Sequence, residues 1–113
     1  MYKLVKNLQP YKNCSFIHPL QQRNVAEMIQ GLLSSKYADD ICSIIIFGSS
    51  VTDRCHVGSD IDIFVVLSDN IKEPYPKLIN KAYNFPYDLW TNKTIDERLL
   101  AEIQKTGVNV YDK

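Results

Sequence analysis

Two seven-residue runs constrain this chain most: Ile41–Phe47 (ICSIIIF) and Ile61–Leu67 (IDIFVVL). Each is nearly continuous in apolar, mostly β-branched residues, and each is far shorter than the ~20 residues that cross a bilayer. Runs of this length and composition read as strands covered on both faces. The segment between them, 48–60, is polar and carries Gly48 and Gly58. It reads as a loop, with one helical turn at most, leaving from one end of a two-strand centre.

The rest of the chain supplies elements to cover those strands. From Pro19 onward, Leu20, Val25, Met28, Ile29, Leu32, Leu33 and Tyr37 recur at steps of three and four. This is the spacing of an amphipathic helix, and Pro19 suits its first turn. Residues 1–18 have no sustained period and read as an irregular lead-in to a single domain over 19–113. Pro74 and Pro76 open a short helix expected through Leu78, Ile79, Ala82 and Tyr83. Phe85–Trp90 reads as a third strand. Thr94 with Glu97 three residues on has the form of a capping box, which predicts a helix from there to Lys105 with Gly107 as its C-terminal cap. Val108–Tyr111 is a candidate edge strand. This order predicts an α/β (α+β) domain, a small mixed β-sheet flanked by helices.

Bulk properties narrow the function. The 113 residues carry 13 basic and 13 acidic side chains, a formal net charge of +0. No basic patch points to nucleic acid and no segment points to a membrane. Three cysteines, Cys14, Cys42 and Cys55, lack CxxC spacing, which disfavours a zinc site or a disulfide scaffold. Cys42 is expected as a buried small hydrophobe. The N-terminal residues lack the apolar core of a signal peptide, so the expected location is the cytoplasm. A chain of this length has room for one core, so any further substrate-binding surface is expected from a homo- or hetero-oligomeric partner.

The chemistry concentrates in 48–62. A buried strand ends at Gly48, where the missing side chain lets a ligand approach backbone N–H groups. Ser49 and Ser50 add hydroxyls, and a helical turn there offers free N–H groups to phosphate. Asp60 and Asp62 follow at the start of the next strand, and positions i and i+2 share a face. Two carboxylates held that close repel, and a hard cation such as Mg²⁺ or Mn²⁺ relieves the repulsion while bridging to substrate phosphates. Asp88, in the third strand, is the candidate third acid for a two-metal site, able to take an acceptor proton.

Gly48-Ser49, ten residues, then Asp60-Ile61-Asp62, with Asp88 in a following strand, resembles the signature of the DNA polymerase beta-like nucleotidyltransferase superfamily. The short chain is similar to the minimal nucleotidyltransferases. Many of these act as antitoxins to an all-helical HEPN partner, some by transferring AMP to a tyrosine of the toxin. The resemblance implies a polymerase beta-like fold, ATP as substrate and two Mg²⁺ ions. It also implies Asp60, Asp62 and Asp88 as metal ligands and catalytic residues, and Gly48, Ser49 and Ser50 at the nucleotide. Members often carry Arg-Gly shortly after Gly-Ser; here Thr52-Asp53 stands there, with Arg54 one residue on.

Two other readings stand beside this one: an antitoxin that neutralises its partner by contact alone, and a small-molecule adenylyltransferase of the antibiotic-modifying kind. Arg54 suits either a phosphate or solvent. His56 reads as a surface residue, Asp96 as a first-turn acid, and Lys72, Lys77 and Lys81 as an exposed helix face. Trp90 and the tyrosines read as packing.

Overall fold

The computed structural model describes residues 1–4, 11–71 and 83–113. The two apolar runs are strands over the expected bounds, β1 (Ile41–Phe47) and β2 (Ile61–Leu67), paired antiparallel. β3 (Tyr87–Thr91) adds parallel to β2, and β4 (Val108–Asp112) adds antiparallel to β1. The sheet is mixed, in the order β3-β2-β1-β4. The third strand thus starts two residues later than expected. The expected helix from Pro74 lies outside the described residues, apart from Tyr83.

α1 (Pro19–Leu33) begins at Pro19, with the ring of His18 accepting from the Leu20 N–H. It ends four residues short of Tyr37, which instead caps the 3-10 turn Ala38–Asp40 leading into β1. Leu20 faces solvent, while Gln21 and Gln22 are buried. The amide of Gln22 explains its place: it donates to the carbonyls of Ile17 and Lys3, so its burial carries no unpaired donor. α2 (Glu97–Thr106) is capped by Asp96, which accepts from the Leu99 N–H at 2.8 Å. The capping residue is therefore Asp96 rather than Thr94. The Thr94 hydroxyl is occupied by Thr91, whose N–H it accepts at 3.2 Å.

Strand alternation gives the sheet two unlike faces. Ile44, Ile46, Ile61, Ile63, Val65 and Leu89 point to one side, against Val25, Met28, Ile29 and Leu32 of α1. Phe47 and Phe64 point to the other, against Ile103 of α2, with Trp90, Leu99 and Leu100 around them. Asp62 and Asp88 belong to this second face. Residues 11–18 are tied to the domain: Ile17 is fully buried in the main core, and Lys12 Nζ meets Asp112 Oδ2 at 2.7 Å. Cys14 and Cys55 are buried free thiols, whereas Cys42, expected inside, is half-buried. Among the described residues no helix is long and apolar enough to cross a membrane.

Gly107 joins α2 to β4 with ordinary backbone angles, φ −65°. Its need is for space: a Cβ would stand 2.5 Å from the Ile103 carbonyl oxygen and 2.7 Å from Ile45 Cγ2. Gly107→Ala is expected to cost about 1–3 kcal/mol in denaturant unfolding, the usual cost of overpacking. Unchanged stability would show that this junction is not close-packed.

Candidate active site

The antiparallel ladder puts Phe47 opposite Asp62, so the chain leaves β1 beside that carboxylate. Gly48 has φ +74°, a left-handed conformation that side chains rarely adopt. A Cβ on it would also collide with Asp62 Oδ2. Glycine is thus required on two independent grounds, and the Gly-Ser and Asp-x-Asp segments touch directly.

From Gly48 the chain makes a 3-10 turn to Val51, closed by the Thr52 N–H donating to the Ser49 carbonyl at 3.1 Å. The two serines part company here. Ser49 lines an open pocket, whereas Ser50 is fully buried and its carbonyl accepts from the His18 N–H at 2.7 Å. The expected hydroxyl contact from Ser50 to a nucleotide is therefore not what this arrangement offers; the residue anchors the turn to the start of α1.

The return limb is equally fixed. The His56 N–H donates to Ser59 Oγ, and the Ser59 N–H donates to the His56 carbonyl, both at 3.0 Å. Gly58 between them has φ +89°. The buried amide of Gln21 donates to the Ser59 carbonyl at 2.7 Å. Asp60 follows at once, on a segment pinned from both sides.

The pocket enclosed by these limbs has a volume of about 420 Å³ and is lined by Ser49, Arg54, His56, Gly58, Ser59, Asp60 and Asp62. Four of the residues singled out in the sequence therefore meet: Gly48 abuts Asp62, and Ser49, Asp60 and Asp62 share the pocket wall. Asp88 does not line this pocket, but the parallel β2–β3 register places it directly beside Asp62. It is exposed. Arg54, left open in the sequence, and His56, read there as a surface residue, both line the pocket. Ser59 and Glu102 went unnoticed there, and Gly58 was read only as a loop residue. Ser59 carried a signal in its position next to Asp60; Glu102 carried none, because its approach depends on how α2 docks.

The electrostatics of the acids follow from this geometry. Asp62 has its pKa raised from 3.8 to about 6, first by burial and then by the negative charges of Asp88, Asp60 and Glu102. Among the described residues no Lys or Arg comes within salt-bridge distance of Asp60, Asp62 or Asp88. Nor are any three His, Cys, Asp or Glu side chains there drawn together as a ready metal group. The oxygen atoms of Ser49, Asp60 and Asp62 on one pocket wall, with like charge about Asp62, would suit Mg²⁺, which keeps waters and substrate phosphates in its shell.

The family described as Polymerase beta, Nucleotidyltransferase matches residues 27–113. The chain belongs to this family and is a nucleotidyltransferase. Two solved structures share its fold. One is a crystal structure of a toxin-antitoxin with AMP-PNP, 24% identical over 77% of this chain and 73% of that one, with a TM-score of 0.62. The other is a toxin-antitoxin MntA-HpeT mutant in which two aspartates two positions apart become glutamate. It is 22% identical over the same shares, with a TM-score of 0.57. No curated protein sequence matches significantly.

Burial of Asp62, with the like charges around it, has a stability consequence. Its pKa is raised, so its stabilising share is complete below 3.8 and is lost as pH rises through about 6. A shift of this size corresponds to about 3 kcal/mol, which partial exposure reduces to about 1–2 kcal/mol. Without divalent cations at pH 7.5, Asp62→Asn is expected to unfold at higher denaturant than the wild type, with the gap closing near pH 4. Equal stability at both pH values would show that neither burial nor like charge raises the Asp62 pKa.

Proposed function

We propose that the chain transfers AMP from ATP, with Mg²⁺, to a hydroxyl of a helical HEPN-type partner, a tyrosine, and thereby acts as an antitoxin. The observation that carries the reading is the meeting of Asp62 with Gly48 on one side and Asp88 on the other, with Asp60 and Ser49 on the same pocket wall. The similarity of fold to two toxin-antitoxin structures, one of them with AMP-PNP, supports the choice of partner and nucleotide.

Ser49 and the backbone of the Gly48 turn would receive the phosphate chain. Asp60 and Asp62 would hold the ions, with Asp88 completing the set. Bound there, Mg²⁺ neutralises phosphate charge and lowers the pKa of a nearby hydroxyl. Asp88, exposed at the start of β3, takes the acceptor proton. The acceptor oxygen bonds to the α-phosphorus as the bond from that phosphorus to the β-bridging oxygen breaks, and pyrophosphate leaves with its electrons. Little covalent work falls to the protein; the fold contributes positioning and charge.

Intact mass of the partner after incubation with ATP and Mg²⁺ tests this. The expected result is one added adenylyl group per partner with the wild type, and a rate reduced about a thousandfold by Asp60→Asn with Asp62→Asn, the scale of losing preorganised charge stabilisation. Equal modification by the double variant would remove these acids from the reaction. Neutralisation of the partner by the double variant without ATP would show that contact alone suffices.

A further inference from the structure

A second pocket, about 270 Å³, lies across the His56–Ser59 turn from the acids and shares His56, Gly58 and Ser59 with the first. Gly58 lies on the rim the two pockets share, and a Cβ there would find nothing within 4 Å, so the space beside it is open to a ligand. We infer, resting on the proposed transfer of a nucleotide, that this second pocket receives the base of the bound NTP, adenine by preference.

The lining suits a flat heteroaromatic ring. Leu20, Val57, Phe85 and Pro86 offer apolar faces, and Leu20 and Val57 are 48% and 85% exposed. Asn24 and Asn84 add amides at the rim. Ligand sites typically combine apolar walls with a few fixed polar groups in this way.

The orientation of Asn24 follows from a chain of hydrogen bonds. The Ser59 carbonyl can only accept, so Gln21 must turn its Nε2 toward it, at 2.7 Å. Gln21 then presents Oε1 to Asn24, which must answer with Nδ2, at 3.2 Å. The carbonyl oxygen of Asn24 is left to accept from a ligand. Adenine carries an amino donor at position 6, where guanine carries a carbonyl that would face another acceptor. The same relay holds the carbonyl next to Asp60, so base recognition and the acid pair share one support.

The test uses the full chain with Mg²⁺ and compares tripolyphosphate, which reaches only the first pocket, with the non-hydrolysable ATP and GTP analogues, by calorimetry. Leu20→Trp and, from the opposite wall, Asn84→Trp fill the second pocket at exposed positions that do not threaten folding. Each is expected to weaken the ATP analogue by about tenfold or more, the scale of a lost pocket contact, while tripolyphosphate binds as before. Asn24→Ala is expected to narrow the preference for the ATP over the GTP analogue. ATP-analogue affinity unchanged in both tryptophan variants would overturn the base site, including the case in which only transfer to the partner falls and the pocket serves the acceptor. Wild type that fails to bind tripolyphosphate would instead overturn the phosphate pocket and the proposed function beneath it.

Discussion

The close approach of Gly48 to the Asp62 carboxylate governs the rest of the site. Antiparallel pairing of β1 with β2 brings Phe47 opposite Asp62, and the chain must then turn away within a residue. Only a residue without a Cβ, in a left-handed conformation, leaves room for that carboxylate. The turn at Gly48–Ser49 and the placement of the acids are therefore consequences of a single contact. Each fixes the other, and a one-residue slip of β2 would move Asp62 to the opposite face.

The sheet's two faces divide the labour. The face under α1 is closed by isoleucine and valine and provides the bulk of the buried apolar surface. The face under α2 is packed around Phe47, Phe64 and Ile103, with Asp62, Asp60 and Asp88 at its open end. Asp62 is one position from Ile61 and Ile63, both fully buried on the other side. A strand with strict alternation can thus be rigid and reactive at once, and rigidity here is what keeps like charges together against their repulsion.

Much of this was legible in the sequence because short apolar runs have few alternatives. β1 and β2 took the expected bounds, and the acid pair was readable because strand period fixes which residues share a face. Cap chemistry was less decisive. Thr94 and Asp96 are both good caps, and the turn that engages Thr94 with Thr91 left the helix to Asp96. The burial of Ser50 and of Gln21 and Gln22 was not legible, since each depends on a partner distant in sequence: His18, Ser59, and Ile17 with Lys3. Glu102 reached Asp62's surroundings by tertiary docking alone.

The central physical claim is that Asp60 and Asp62 share divalent cations with a triphosphate seated against Gly48 and Ser49. Anomalous diffraction from crystals grown with Mn²⁺ and a non-hydrolysable ATP analogue tests it most directly. The expected result is Mn²⁺ ligated by both carboxylates and by phosphate oxygens, with the triphosphate beside Ser49. Mn²⁺ bound elsewhere, or a nucleotide bound with neither acid at the metal, would contradict it.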